Sequence, residues 1–363
     1  MNIVLISDSL ASGGAERVMS IMANYWADQG RHVTLITLDS EGNDFYPLDG
    51  RVSRVGLGCI KNSTSLWSAI RNNAARVRLL RAAIRGAKPD VVVSFQDIMN
   101  VMVLLAAWPL SVPVVVSERN DPGQHVIGPV WNRLRRWLYP RAAAVVVQTD
   151  PVKAWVTRFV SAERVHVIPN PVRPVTERTN IIPSLEVPRP YVAAMGRLER
   201  QKGFDLLLRA FAACQQEGWF LVIVGEGSER ANLESLADKL GIGSRLYLTG
   251  RIKEPESVLQ QAALFVLSSR YEGFPNALLE AMSYGVPVVS FNCPSGPDVI
   301  VRENIDGVLV PPLDVEAMAV EIKQLMNNEG RRRAYGEAAK EVRSRFSIEG
   351  VMGMWSGLLR EMH

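Results

Sequence analysis

The sequence predicts an α/β fold built as two Rossmann-like domains. Three observations carry this. Short apolar runs alternate with helical patterns along the chain, the mark of a parallel sheet wrapped by helices. The alternation breaks once, at a stretch that begins Pro169-Asn170-Pro171 and contains Pro174, Pro183, Pro188 and Pro190 with little periodicity, which is a linker composition. A chain of 363 residues with 47% hydrophobic content also has enough apolar side chains for two separate cores.

The elements follow in order. Strands are expected near Ile3–Ser7, Val33–Leu38, Val91–Phe95, Val114–Glu118, Ala144–Gln148 and Val165–Ile168, each a near-continuous apolar run of the kind a doubly covered parallel sheet buries. Helices are expected around Glu16–Gln29, Leu66–Arg85 and Trp131–Leu138. After the linker, strands are expected at Tyr191–Met195, Phe220–Val224, Leu246–Thr249, Leu264–Leu267 and Val286–Ser290, and a weakly amphipathic helix at Phe346–Met362.

Composition narrows the function classes. No run of about 18 uncharged apolar residues exists, so no membrane-spanning helix is expected. The start, Met1-Asn2-Ile3-Val4-Leu5-Ile6-Ser7, lacks the basic flank of a signal peptide and reads as a first strand, so a cytoplasmic location is expected. Cys59, Cys214 and Cys293 are scattered, against both a disulfide framework and a thiolate metal site. Asp-x-Asp is absent, and neither His nor Cys pairs at ligand spacing, so no metal is expected.

The segment Glu272-Gly-Phe-Pro-Asn-Ala-Leu-Leu-Glu280 carries the chemistry. Gly273 and Pro275 break regular structure, Asn276 is a good N-cap, and Ala277, Leu278 and Leu279 offer the first free amides of a helix. A helix start favours a phosphate group, and Glu280 on the first turn is placed to accept from sugar hydroxyls beside it. Together these suggest a nucleotide sugar; an N-capped helix with a first-turn acid is the plain alternative. Arg197 and Lys202, flanked by Gly196 and Gly203, follow the first strand of the second half, where open α/β sheets bind ligands. Cations there stabilise a diphosphate leaving group as its charge grows. Gly225-Glu226-Gly227 follows the next strand, with Arg230 either nearby or a surface residue, and Gly13-Gly14 occupies the first strand-to-helix turn, where backbone can approach phosphate or sugar closely.

These motifs, in this order, resemble the retaining GT-B glycosyltransferases of family 4, whose signature is two Glu separated by seven residues, here Glu272 and Glu280. The resemblance spans nearly the whole chain and includes Ser12-Gly13-Gly14-Ala15-Glu16-Arg17 and Gly196-Arg197-Leu198-Glu199-Arg200-Gln201-Lys202-Gly203. It implies two Rossmann-like domains facing across a cleft: residues 1–172 for the acceptor, 173–345 for the nucleotide sugar, and a helix over 346–363 that packs back on the first domain. The donor is expected to be a UDP-sugar, a UDP-hexose or UDP-N-acetylhexosamine, with no metal or other cofactor. Glu272 is expected as the more exposed carboxylate, positioning the transferred sugar and its transition state without acting as a nucleophile, and Glu280 faces the ribose hydroxyls. These groups are expected at a solvent-filled cleft. The loop Asn292-Cys293-Pro294-Ser295-Gly296-Pro297-Asp298 replaces a Gly-Gly form and is expected to shape the donor pocket.

One departure concerns the acceptor. Relatives often carry a His after the fourth strand, where this chain reads Ser117-Glu118-Arg119-Asn120-Asp121-Pro122. Arg119 falls at that position and is suited to bind an acceptor phosphate or hydroxyl, with Glu118 as proton acceptor. Asp97 is either a cleft residue or a helix cap, and His125 is equally open, whereas His32 and His166 read as structural.

Arg71, Arg76, Arg78, Arg81, Arg85 and Lys88 on one helix, and Arg133, Arg135, Arg136 and Arg141 around Trp131, Trp137, Leu138 and Tyr139, interleave basic and aromatic residues as an anionic membrane surface prefers. The expectation is peripheral association with the inner face of the cell membrane and a lipid-linked oligosaccharide, O-antigen, exopolysaccharide or lipopolysaccharide acceptor, with no nucleic-acid partner. The alternatives are a non-hydrolysing sugar-nucleotide epimerase of the same architecture, an NAD-dependent oxidoreductase, for which the first turn lacks Gly-x-Gly-x-x-Gly, and a catalytically silent scaffold.

Overall fold

The computed structural model describes residues 1–60, 65–175, 187–252 and 254–362. Pro183 of the expected linker lies outside them. The chain divides into two units, Met1–Asn170 with Val351–His363, and Pro171–Gly350.

The first unit is a seven-stranded parallel sheet of β1 (Asn2–Ser7), β2 (His32–Thr37), β3 (Ser53–Gly56), β4 (Val91–Phe95), β5 (Val114–Ser117), β6 (Ala144–Val147) and β7 (Val165–Val167), in the order β3-β2-β1-β4-β5-β6-β7. Ile3 to Ile6 and Val92 to Val93 are fully buried, as strands covered on both faces require. Alternate residues serve opposite faces, so Val4 and Ile6 enter one core with Val92, Val116 and Val145. Helices α1 (Gly14–Asp28), α2 (Leu66–Ala87), α3 (Asp97–Ala107), α4 (Pro129–Leu138) and α5 (Asp150–Val156) cover the sheet.

Strand β3 and helices α3 and α5 of this unit were not expected. Strand β3 is a partly exposed sheet edge with no continuous apolar run. Helix α3 lies between α2 and α4 and buries nine of its eleven residues, so it lacks the polar stripe that marks a surface helix.

The second unit is a six-stranded parallel sheet of β8 (Tyr191–Met195), β9 (Phe220–Val224), β10 (Leu246–Leu248), β11 (Leu264–Leu267), β12 (Val288–Phe291) and β13 (Gly307–Val310), in the order β10-β9-β8-β11-β12-β13. Its helices are α6 (Phe204–Cys214), α7 (Arg230–Lys239), α8 (Glu256–Leu259), α9 (Asn276–Ser283), α10 (Pro297–Ile300), α11 (Val315–Asn327), α12 (Glu329–Ala339) and α13 (Val342–Arg345); Val192 and Ala194 pack on one face with α6 and α11, and Tyr191 and Ala193 on the other with α9 and α13. Strand β12 starts two residues later than expected, because Pro287 has no N–H for the ladder and only its carbonyl is used, by Phe265 N–H at 3.0 Å. Helix α14 (Ile348–Arg360) joins the first unit from Val351 on. Its Trp355 is 1% exposed and meets Trp26 edge-on at 6.5 Å and Phe95 at 6.3 Å.

Candidate functional site

Strand order locates the crevice in each unit. In the second, the sheet winds outward in both directions from the neighbours β8 and β11, so the loops at their carboxyl ends diverge and open a site. The loop after β8 carries Arg197 and Lys202; the loop after β11 carries Glu272. Lys202 Nζ lies 2.7 Å from Glu272 Oε1, which also accepts the Ser269 hydroxyl at 2.6 Å. The two loops are knitted together by Arg270 N–H to the Gln201 carbonyl (2.8 Å), Gln201 Nε2 to the Tyr271 carbonyl (3.0 Å) and Arg270 on both carboxylate oxygens of Asp205 (2.8 Å each). Gly203 has φ +63°, and a Cβ there would run into the Ser268 carbonyl oxygen, so this close approach requires glycine. Ser269, Gln201, Arg270 and Asp205 are parts of the site that motif spacing did not reveal.

The geometry corrects several expectations. Glu272 is not the more exposed carboxylate: it is 5% exposed against 6% for Glu280, because Lys202 and Ser269 cover it. Lys202 is itself only 20% exposed in its side chain, so the pair is not bathed in solvent. Arg197 is not a second fixed cation; its side chain is 62% exposed and pairs with Glu199 at 3.1 Å, a surface contact that leaves it movable. Asn276 is the first residue of α9, with Pro275 at the cap position. The amides of Leu278 and Leu279 are taken by the Pro275 carbonyl at 3.0 and 3.2 Å, and Leu278 is fully buried core. Among the described residues no carbonyl accepts from Ala277 N–H, the second amide of α9. Glu280 is the fifth residue of α9 and so lies beyond its first turn.

Gly225 and Gly227 serve loop packing. A Cβ at either would strike the carbonyl oxygen of Gly196 or Leu198, and Leu198 N–H donates to the Glu226 carbonyl at 3.0 Å. The Glu226 carboxylate is gripped by Arg230, with Nε 3.0 Å from both oxygens and Nη2 at 2.9 Å, and these bonds hold it below the usual carboxylate range. The Glu226 side chain is 39% exposed beside Arg230. The 292–298 loop packs on the signature segment: Ser295 Oγ donates to the Gly273 carbonyl at 3.3 Å, and a Cβ on Gly296 (φ +104°) would come within 2.6 Å of Pro275 Cδ. Cys293 is buried there, its thiol pushed up to about 12 by burial and then by the charge of Glu272.

In the first unit the switch point lies between β1 and β4. Gly13 caps α1, and the Glu16 carboxylate folds back against it, where a Cβ would meet it; Gln96 Nε2 donates to Glu16 Oε1 at 3.3 Å. At Gly13-Gly14 this chain's own first-turn acid lies against the turn, a position the helix dipole favours. Arg17 is buried. Gln96 adopts φ 73° and ψ 145°, an unusual conformation for a residue with a side chain. Asp97 follows as the first residue of α3, accepting from Ile98 N–H at 2.7 Å and lying 3.5 Å from His125 Nε2.

Glu118 and Arg119 part company. Glu118 is 2% exposed and faces the helices: Tyr139 OH donates to Oε1 at 2.7 Å, Arg135 Nη1 at 3.3 Å, and Asn100 Nδ2 supports the Tyr139 hydroxyl at 3.0 Å. Burial pushes its carboxyl up to about 7 against the pull of Arg135. With its carboxyl walled in by these partners, Glu118 is a structural acid and not the proton acceptor the sequence suggested. Arg119 lies over the Phe95 ring, its Cζ 3.3 Å from the centroid, and donates through Nη1 to Asn170 Oδ1 at 2.6 Å. It is 8% exposed, and burial drives its guanidinium well below the usual arginine range. Among the described residues no group of three or more His, Cys, Asp and Glu side chains gathers to hold a metal ion.

Known proteins agree with this architecture. Residues 177–342 match the family described as glycosyl transferases group 1, and residues 13–171 match the glycosyl transferase 4-like domain. The chain belongs to the group 1 glycosyltransferases. It is 29% identical, over 100% of its length and 99% of the relative's, to a Campylobacter jejuni α-1,4-N-acetyl-D-galactosaminyltransferase named for GalNAc-α-(1→4)-GalNAc-α-(1→3)-diNAcBac-PP-undecaprenol. In fold it is similar to sucrose-phosphate synthase from Thermosynechococcus elongatus (TM-score 0.84, 21% identity, 99% of this chain and 98% of that one). It is likewise similar to Anabaena HepE, solved in complex with UDP-glucose (TM-score 0.81, 18% identity, 99% of each chain). The fold is GT-B.

This glycosyltransferase carries a surface the sequence located only in part. Arg135, Leu138 and Tyr139 are buried, so they do not belong to the basic patch. Trp137 (51% exposed) stacks on Trp108 (53%) at 5.5 Å, and the Arg141 guanidinium lies 4.5 and 5.0 Å from the two rings. On α2, Arg76 and Arg81 turn to backbone carbonyls, while Arg71, Arg78, Arg85 and Lys88 are exposed, as are Trp67 and Ile70 near the helix start. No helix of the described residues is long and apolar enough to cross a membrane.

Proposed function

We propose that this glycosyltransferase moves a hexose or N-acetylhexosamine from a UDP-sugar, with retention of anomeric configuration and without a metal, to a lipid-linked or polysaccharide-type acceptor held at an anionic membrane surface. The observation that carries the reading is the Lys202–Glu272 pair at the β8/β11 switch point of the second unit. An ammonium has three donors; with one on Glu272, two remain for the donor's diphosphate, whose charge grows as the glycosidic bond breaks. The movable Arg197 and the Ala277 amide add positive potential to the same leaving group. Glu272 and Glu280 accept from sugar and ribose hydroxyls. The acceptor hydroxyl attacks the anomeric carbon on the face the diphosphate leaves, and the departing phosphate takes its proton. The UDP-glucose bound by HepE supports the donor class, and the lipid-linked acceptor in the Campylobacter enzyme's name supports the acceptor class. The exposed Trp108–Trp137–Arg141 stack and the α2 cations support the membrane surface.

The test is product analysis. With EDTA present throughout, the chain is incubated with UDP-glucose, UDP-N-acetylglucosamine or UDP-N-acetylgalactosamine and an undecaprenyl-diphosphate-linked oligosaccharide, and the new linkage is read by NMR. An α linkage from one of these α donors is expected. A β linkage, or turnover that EDTA abolishes, overturns the reading.

A further inference from the structure

Between β2 and β3 the chain forms a groove that no part of the donor chemistry uses. It is a cavity of about 510 Å³, within the range of small-molecule sites, lined by Asp44, Phe45, Tyr46, Asp49, Val52 and Arg54 among others. We infer that this groove is a saccharide subsite of the first unit, taking an uncharged pyranose of the acceptor; the inference rests on the glycosyltransferase reading proposed above.

Its place comes first. The loop leaves the carboxyl end of β2, next to β1, and Phe45 N–H donates to the Leu10 carbonyl at 2.9 Å in the loop that leads to Gly13. The groove therefore lies on the β3-edge side of its own sheet, and its loop reaches the loop after β1 through Phe45. The loop is also fixed: Ser20 Oγ and Asn24 Nδ2 donate to the Pro47 carbonyl at 3.0 and 3.1 Å, and Asp49 N–H donates to Asn24 Oδ1 at 2.8 Å. An open groove whose loop is already held in place binds a weak ligand with little further ordering cost.

Its chemistry comes second. Arg54 grips both oxygens of Asp44 at 2.8 and 2.7 Å, and Arg51 grips both oxygens of Asp49 at 2.8 and 2.7 Å, a contact that holds Asp49 below the usual carboxylate range. Each carboxylate thus has its counter-charge, so the groove has no surplus charge to attract an ion of either sign. Asp49 Oδ1 is filled by the Arg51 amide at 2.9 Å and Nε at 2.8 Å, but Asp49 Oδ2 and both Asp44 oxygens keep a lone pair to accept a hydroxyl. Phe45 and Tyr46 meet edge to face at 5.1 Å and 81°, which presents one ring face and one ring edge beside those acceptors. Fixed hydroxyl acceptors next to an aromatic face suit a pyranose, which has hydroxyls around its rim and C–H groups on its faces; they do not suit a phosphate or an amine.

The test uses the intact chain. Saturation-transfer NMR is recorded with the methyl α-glycosides of glucose, galactose and N-acetylgalactosamine, and UDP binding is measured by calorimetry on the same preparations. Saturation of at least one glycoside is expected, reduced about fivefold in Phe45→Ala and in Asp49→Asn, while the UDP affinity of both variants stays at the wild-type value. Asp49→Asn alters a partly exposed side chain, so it remains informative if Phe45→Ala folds poorly. No saturation of any glycoside by a wild-type chain that binds UDP, or equal saturation in both variants, overturns the groove. Failure of the wild type to bind UDP while the glycoside contacts respond to both substitutions would sustain the groove and strike the donor reading instead.

Discussion

Glu118 is a carboxyl whose ionisation the fold has shifted toward neutral pH. Burial lifts its carboxyl to about 7 while Arg135 and the Tyr139 hydroxyl pull the other way. The sign follows from the comparison with the unfolded chain, where a glutamate titrates near its ordinary value: the folded state holds the proton more tightly. The stability this contributes is full below about pH 4.5 and is lost as pH rises through about 7. Over that window the loss is a few kcal/mol at most. Thermal unfolding of the wild type should therefore move to lower temperature between pH 5 and 8 by several degrees more than in Glu118→Gln, which stays neutral and keeps the Tyr139 hydrogen bond. Parallel curves for the two proteins would show that Glu118 keeps its charge in the fold. The neighbouring Arg119 explains why the sequence could not separate these two residues. Adjacent side chains around a strand end point to opposite faces, and only the fold shows that Glu118 turns to the helices and Arg119 to the Phe95 ring.

At the scale of elements, the loops after β8, β9 and β11 form one rigid body because glycines let their backbones touch. Gly203 is the clearest case, with φ +63° and the Ser268 carbonyl where a Cβ would be. Gly203→Ala should cost about 2–4 kcal/mol in denaturant unfolding, and it should lower turnover as well, since the same contact sets the spacing of Lys202 and Glu272. An unchanged midpoint would mean the two loops separate at no cost. What was legible here follows from local rules. The strands stood out as apolar runs, and Gly196, Gly203, Gly225 and Gly227 stood out as breaks after them. What those glycines are for was not legible: three of the four are approached by protein carbonyls rather than by phosphate, which depends on contacts between loops far apart in sequence. Helix α3 and strand β3 escaped notice for the opposite reasons, one being apolar nearly all round and the other hardly apolar at all.

For the whole molecule, the two parallel sheets with their switch points, joined by the GT-B relationship, make the chain a group 1 glycosyltransferase. The ordered motifs made that legible, because each sits after a strand where the fold must place it. The surface was less legible, since composition marks which helices are basic and aromatic but not which side chains turn inward; Arg135 is the example, being 1% exposed and spent on Glu118. The membrane test accordingly uses exposed residues. Arg136→Glu with Trp137→Glu should lower partitioning onto phosphatidylglycerol vesicles at least tenfold at low salt, each cation near an anionic surface being worth about 1 kcal/mol and the buried ring more. Unchanged partitioning would remove the surface from the account.

The most direct test of the central claim is the calorimetric affinity for UDP, in EDTA, of Lys202→Met and of the double variant Lys202→Met with Glu272→Gln. The single change leaves Glu272 buried without its cation, a strain that the double change relieves. If Lys202 holds the donor diphosphate, UDP affinity falls by about tenfold or more in both proteins, although the double variant regains thermal stability. Wild-type affinity in the double variant would contradict the account, because the pair would then be an internal tie between two loops and the diphosphate would be held elsewhere.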